Sequence, residues 1–182
     1  MTCKQSKTSQ ARAFKSGAPQ IPSTGRLRVR IKIRRAQAKD LASINSLTDF
    51  MQNYLAGLYG LKPSEKDLEE EHYDEEDLGE TLVAEDAETG VVAGYLSFSQ
   101  SRNEWAGSHL ELEHLVVRED YKRLGVATEL CRALKEKAKR KKVNITAGTL
   151  VRNKRALKFY KKLGFKPLTV NLLLDVQKRM RR

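Results

Sequence analysis

Residues 110–130, LELEHLVVREDYKRLGVATEL, constrain the fold more than any other part of the chain. A strongly apolar strand, residues 110–117, runs through a short polar link into a helix that opens at Gly125. Val126, Leu130, Cys131, Leu134 and Ala138 recur on one face of that helix to about Lys141. VNITAGTL, residues 143–150, then reads as a second strand. A crossover helix of this length places 143–150 parallel to 110–117, with the right-handed connection that twisted strands impose. Whatever else the chain folds into, it must accommodate one parallel pair.

The remaining elements are read around that unit. RLRVRIKIRR alternates strictly, with Leu27, Val29, Ile31 and Ile33 on one face and Arg or Lys on the other, as in a half-buried strand. Residues 40–57 carry Leu41, Ile44, Leu47, Met51 and Leu55 at helical spacing. Pro63-Ser64 opens a short acidic helix or loop reaching about Asp77. ETLVAED and VVAGYLSFSQ flank AETG, a hairpin signal. Residues 101–109 are expected to form a loop around Trp105. Asn153 caps a further helix bearing Ala156, Tyr160 and Leu163 and stopped by Gly164. FKPLTVNLLLDV is expected to be the final strand. The order strand, helix, helix, three strands, helix, strand, helix, strand defines a mixed α/β plan.

With 182 residues, one domain is expected, and 40% hydrophobic residues suffice for its core. No stretch approaches the ~20 apolar residues of a membrane helix. The two cysteines, Cys3 and Cys131, give neither a disulfide framework nor a Cys/His metal spacing. Cys131 lies on an apolar helix face and reads as a buried free thiol. His72 and His109 have no partner in the sequence that suggests a metal site. The net charge of +12 is uneven: no acid precedes Asp40, whereas residues 65–88 hold thirteen of the twenty-three carboxylates. The basic excess favours polyanionic partners, a nucleic acid or a phosphorylated cofactor, and the acidic segment would attract a cation. Residues 1–25 are acid-free and rich in small polar residues, and are expected to be a disordered basic arm. The same composition describes a mitochondrial or plastid transit peptide; as a simple arm it would accompany a cytoplasmic protein. The folded domain is expected over residues 26–177, with a basic tail at 178–182.

KRLGVATEL opens its helix with little side chain in the way at Gly125 and Ala127, so first-turn N–H groups could approach a pyrophosphate. Lys122 and Arg123 add positive charge. No Walker or GxGxxG pattern is present, so neither a P-loop nucleotide nor a dinucleotide is indicated.

VVREDYKRLGVATEL, followed by VRNKRALKFYKKLGF, resembles the GNAT superfamily of acetyl-CoA-dependent N-acetyltransferases. Its phosphate motif is Gln/Arg-x-x-Gly-x-Gly/Ala, and its later motif runs Asn, Ala, aromatic-Tyr, Gly-Phe. The likeness extends over about residues 27–175. LELEHLVV is similar to the LxLExxxV run of polyamine and diamine acetyltransferases. One departure is Lys122, where the family usually has Gln or Arg. The resemblance implies a mostly antiparallel sheet with flanking helices and a parallel strand pair splayed around the CoA site. It implies that Arg123, Leu124, Gly125, Val126, Ala127 and Thr128 hold the CoA pyrophosphate. It further implies that Leu115, Val116 and Val117 offer main-chain groups to the pantetheine arm, that Asn153 contacts the cofactor, and that Tyr160 protonates the departing thiolate. No metal is called for, and similar proteins are frequently homodimers.

The chemistry fits those residue types. An alkylamine, with a pKa near ~10, is mostly protonated at neutral pH and must lose that proton before it attacks. Glu113 is the expected base, with His114 beside it as the other candidate; Glu111 shares the face of Glu113 unless a bulge intervenes. A main-chain N–H, at Leu115 for example, would stabilise the carbonyl oxygen. The expected activity is acetyl transfer to a primary amine by direct attack in a ternary complex. The acceptor is expected to be a small cationic amine, with a protein lysine or N terminus as the alternative. Two readings of another class stay open: an acyl-CoA sensor without turnover, and a nucleic-acid-binding module using Arg28, Arg30, Lys32, Arg34 and the KEKAKRKK helix.

Overall fold

A computed structural model describes residues 29–173. It contains β1 (Ile31–Arg35), α1 (Leu41–Gly57), α2 (Glu65–Glu69), β2 (Thr81–Asp86), β3 (Val92–Asn103), β4 (Gly107–Val117), α3 (Val126–Lys141), β5 (Asn144–Ala147) and α4 (Lys154–Lys162). The five strands form one sheet in the order β1-β2-β3-β4-β5. The first four are antiparallel, and β5 joins β4 in parallel, as the crossover helix requires. The mixed α/β fold expected from the sequence is the fold observed.

The sheet has a core on each face. On one, Leu96, Phe98, Leu110 and Leu112 pack against Val126, Leu130 and Leu134 of α3, with Phe159, Tyr160 and Leu163 of α4 at the margin. On the other, Val83, Tyr95 and Val116 pack against Ile44 and Leu47 of α1. Each fully buried Leu or Phe contributes roughly 1.5–3 kcal/mol, so these two clusters account for the rigidity of the sheet. Beneath β1, Asp40 is almost entirely buried and accepts from Arg34 Nη1 and Nη2 at 2.7 and 2.9 Å, while Glu85 takes the same guanidinium from β2. Both carboxyls are held low by that guanidinium, and the guanidinium is held high. Arg34 is therefore committed to the fold and is not a free cation for a nucleic acid.

Several local expectations change. Residues 101–109 are not a loop: β3 runs to Asn103 and β4 starts at Gly107. Asn103 Oδ1 accepts from the N–H groups of Trp105 and Ala106, and Gly107 takes a left-handed φ of 65°, which together close a tight turn. The described part of the expected final strand, residues 165–173, has no regular structure, and its last residues lie outside the described range. Leu168, Val170 and Leu172 have the period of a strand, but they are exposed and no ladder partner pairs with them. The first strand starts at Ile31 and reaches Arg35, and β5 covers only the first part of the 143–150 run. Expectations for residues 1–25, Leu27, Arg28 and 178–182 lie outside the described residues.

Candidate active site

The site is built on β4, and its geometry follows from how far β5 accompanies that strand. The parallel pairing covers His109 to Leu112 opposite Asn144 to Ala147 and then stops. From Glu113 onward β4 is paired only with β3. Arg118 N–H donates to the Ala93 carbonyl at 2.9 Å. Antiparallel alternation therefore turns the main-chain groups of Val117 and Leu115 to the opposite edge, where no strand pairs among the described residues. Val116 differs: alternation turns it to β3, and its side chain sits in the α1-side core. Of the three residues expected to meet a pantetheine arm, Leu115 and Val117 offer open main-chain groups.

The ladder between β3 and β4 is also irregular. Ser97 faces His114 while Phe98 faces Leu112, so Glu113 is an extra residue, a β-bulge. The bulge reverses the parity of the strand. Leu110 and Leu112 pack on the α3 side before it, and Leu115 and Val117 do so after it. His114 and Val116 consequently lie on the α1 side. Glu113 is exposed on the bulge, so simple alternation with Glu111 does not hold across it.

Beyond β4, a 3-10 turn at 119–121 is fixed by Tyr121, whose hydroxyl donates to Asp86 at 2.8 Å. The chain then enters α3 through two left-handed residues, Arg123 (φ 65°) and Gly125 (φ 89°). Thr128 and Glu129 N–H already donate to the Gly125 carbonyl. The N–H groups of Arg123, Leu124, Gly125, Val126 and Ala127 have no hydrogen-bond partner among the described residues. Such a row of donors at the positive end of a 16-residue helix has the geometry to receive an anion. Lys122 is turned away to Glu119, with its ammonium 5.0 Å from the centre of the Phe50 ring. Its departure from Gln or Arg therefore leaves the cradle's main chain unaltered.

The expected α4 residues come to the same side of the sheet. Asn153 caps α4, its Oδ1 accepting from Ala156 N–H at 3.1 Å and from Tyr54 Oη at 3.4 Å. Its Nδ2 has no partner among the described residues. Tyr160 is half-buried among Phe159 and Phe165, with ring centres 5.7 and 5.3 Å away. Burial pushes its phenol up to about 12, so it stays protonated at neutral pH. Its hydroxyl has no partner among the described residues, yet no buried side-chain oxygen is unpartnered, so this one is not sealed from solvent. A cavity of about 200 Å³ is lined by Leu112, Thr128, Cys131, Lys135, Leu163 and by Phe165, whose ring packs on that of Tyr160. Burial pushes the Cys131 thiol up to about 12, which removes the thiolate a covalent route would need.

A polar cluster on the α1 side was not legible in the sequence. Tyr73, from the acidic segment, places its hydroxyl 2.6 Å from both Ser97 Oγ and His114 Nδ1. Tyr95 Oη pairs with Thr48 Oγ1 at 2.8 Å just beneath. Asn45 of α1 pins the Tyr73 main chain through both N–H and C=O, and His72 meets Asp49 at 2.7 Å. The acidic segment thus borders the β4 bulge. The only cue in the sequence was an aromatic residue inside EHYDEE.

This architecture is that of acetyltransferases. A Trypanosoma brucei acetyltransferase matches it with a TM-score of 0.54 at 22% identity, over 81% of this chain and 100% of that one. AAC(6')-Iy in complex with the bisubstrate analogue CoA-S-monomethyl-acetylneamine matches with a TM-score of 0.60 at 19% identity, over 80% and 97%. In sequence, the Bos taurus thialysine N-epsilon-acetyltransferase is 28% identical over 146 residues, 76% of this chain and 86% of that protein. The acetyltransferase (GNAT) family model matches residues 46–165. The chain belongs to the GNAT family, and it is an N-acetyltransferase. Among the described residues no cluster of His, Cys, Asp or Glu could hold a metal ion, and no helix is long and apolar enough to cross a membrane.

Proposed function

We propose that this protein transfers an acetyl group from acetyl-CoA to the primary amine of a small cationic acceptor, by direct attack in a ternary complex. The observation that carries the proposal is the row of free N–H groups from Arg123 to Ala127, at the end of an open β4 edge. That row fits a pyrophosphate, the open Leu115 and Val117 groups fit the amides of a pantetheine arm, and Asn153 Nδ2 and Thr128 stand where further polar contacts can form. Acetyl-CoA bound there supplies the acetyl group as a thioester. Leu115 N–H donates to the carbonyl oxygen as negative charge develops on it. The ammonium proton leaves toward the bulge, where Glu113 and His114 are adjacent. A C–N bond forms, the C–S bond breaks, and Tyr160 gives its hydroxyl proton to the departing sulfur; the second proton shed by the acylated nitrogen restores the phenol through water.

A cationic acceptor is supported by the acidic segment, which meets the bulge through Tyr73. It is supported also by the cattle relative, whose name gives a thialysine Nε amine as its acceptor.

The test is CoA-thiol release from acetyl-CoA against polyamines, thialysine-like amino acids, aminoglycosides and basic peptides. Turnover is expected on one class of small cationic amine. Tyr160→Phe should lower kcat about 100-fold with an unchanged acetyl-CoA Kd. Binding of acetyl-CoA without turnover on any amine would support a sensor, and failure to bind CoA would refute the cradle.

A further inference from the structure

The β4 bulge brings two proton acceptors together, Glu113 and His114, and the polar cluster behind them separates their roles. Ser97 Oγ accepts the His114 main-chain N–H at 3.2 Å and the Tyr73 hydroxyl at 2.6 Å. A phenol has one hydrogen to donate. With that hydrogen committed to Ser97, Tyr73 Oη can meet His114 Nδ1, 2.6 Å away, only by accepting from it. Nδ1 then carries the ring hydrogen, and the neutral imidazole keeps its basic lone pair on Nε2. Nε2 has no hydrogen-bond partner among the described residues. Because no buried side-chain nitrogen is left without a partner, Nε2 is not sealed from solvent.

The arrangement is held firmly. The Tyr73 main chain is fixed on both sides by Asn45, at 2.8 and 3.1 Å. The Tyr73 and Tyr95 rings stand edge-on to the imidazole at 5.9 and 6.5 Å. Glu113, by contrast, is exposed and has no hydrogen bond among the described residues.

We propose that His114 Nε2, rather than the Glu113 carboxylate, takes the proton from the acceptor's ammonium group. In this arrangement Tyr73 and Ser97 set the tautomer, and the carboxylates of Glu113 and Glu71 draw the cation in. The proposal rests on the acetyltransferase reading above. In the step, an N–H bond of the ammonium breaks and an Nε2–H bond forms. The positive charge moves to the imidazole, and the freed amine lone pair attacks. Water takes the proton from the imidazolium after product leaves.

Imidazole is the better base for this work, with an ordinary pKa near ~6.5 against ~4.3 for a glutamate. Burial lowers His114 below 6.5, which keeps it neutral and ready at pH 7. Glu71 and Glu113 act in the opposite sense and stabilise the imidazolium once it forms. The other titratable neighbours, Tyr73 and Tyr95, are phenols pushed upward by burial and uncharged throughout this range.

Nitrogen-15 NMR of the imidazoles in the free protein near pH 7.5 reads the tautomer without any turnover. His114 is expected as the Nδ1–H form, with Tyr73→Phe shifting it toward Nε2–H. A wild-type Nε2–H form would overturn the proposal. On the amine that turns over, kcat/KM should fall on the acid side as His114 protonates. His114→Gln should lower kcat about 100-fold and remove that limb, leaving the acetyl-CoA Kd unchanged. Glu113→Gln should raise the KM of the amine and leave the limb in place. The reverse pattern, a limb lost with Glu113→Gln and kept with His114→Gln, would also overturn it. Turnover with the wrong limb refutes this proposal alone, whereas absence of both turnover and CoA binding refutes the acetyltransferase reading beneath it. Should His114→Gln fail to fold, the wild-type tautomer and the Tyr73→Phe pH profile still decide.

Discussion

The two halves of β4 share one strand and differ in what lies beside them. Residues 107–112 have β3 on one edge and β5 opposite their last four residues, and they supply Leu110 and Leu112 to the core against α3. Residues 113–117 have β3 on one edge and, among the described residues, no strand on the other. A sheet normally hides such an edge, because unpaired N–H and C=O groups invite another chain. Here the open edge sits between a bulge and the free N–H groups at the entrance of α3. On the function proposed above, the comparison teaches that stability and chemistry fall to different halves of one element. The paired half should tolerate no loss of volume but have little influence on ligand binding, and the open half should show the converse.

The largest effect is expected from the paired half. Leu110 is fully buried, and Leu110→Ala should destabilise the fold by about 3 kcal/mol, the removed methyl groups and the cavity left behind adding together. Among molecules still folded, the acetyl-CoA Kd should change less than about twofold. Denaturant melts with isothermal titration check both numbers. A large change in Kd would mean that the halves are mechanically coupled.

The matching substitution at the open half is Gly125→Val. Gly125 has a φ of 89°, which a β-branched residue enters only under strain, while its would-be Cβ meets nothing within 4 Å. The cost should fall on the shape of the cradle. We expect a stability loss of about 1–2 kcal/mol together with an acetyl-CoA affinity weakened about 30-fold or more. Unchanged affinity would show that the main chain of this turn is not what binds the phosphates.

The difference between the halves also explains how much could be read in the sequence. The paired half and its crossover were legible because Leu110, Leu112, Val126, Leu130 and Leu134 obey the strand and helix periods that burial enforces. The start of α3 was legible because Gly125 and Ala127 open an apolar helix directly after a strand. The bulge announces itself only in retrospect: the apolar parity of LELEHLVV switches from even positions at 110 and 112 to odd ones at 115 and 117. Tyr73 carried no local signal, since it meets His114 across 41 positions of chain. The expected final strand is the opposite case: Leu168, Val170 and Leu172 keep a clear period, yet no strand pairs with them among the described residues. Periodicity reports which face would be buried, and it is silent about whether a partner is there.

The bulge should leave a thermodynamic trace as well. His114 is held below its ordinary 6.5 by burial, so the unfolded chain binds a proton near that pH which the folded chain accepts only further down. Unfolding free energy should therefore decline as pH falls through about 6.5, and His114→Gln should flatten that decline. Asp40 and Asp86, both held below 3.8, act in a separate window, their contribution being lost only as pH drops through the acid end of the carboxylate range. Denaturation midpoints measured from about pH 2 to about pH 8 distinguish the two. A wild-type curve that is flat across the upper window would mean that His114 is not desolvated by its aromatic neighbours.

The smallest expected effect sharpens the comparison most, because it asks whether the open half works through main chain or side chain. Arg123 is a non-glycine residue at φ 65°, where a Cβ crowds the following carbonyl. Arg123→Gly relieves that strain, worth about 1–2 kcal/mol, but loosens the unfolded chain by about 0.5–1 kcal/mol. The net gain in stability should be below about 1 kcal/mol. Its N–H group survives the substitution and its guanidinium does not. If the row of N–H groups carries the phosphates, acetyl-CoA affinity should weaken no more than about fivefold, an amount that added salt also erodes because an exposed charge is screened. A loss comparable with that of Gly125→Val, and steeply salt-dependent in the wild type, would move the phosphate contact from the backbone to the guanidinium. It would also make Lys122, already turned toward Glu119 and Phe50, the residue whose departure from the family pattern costs the site most.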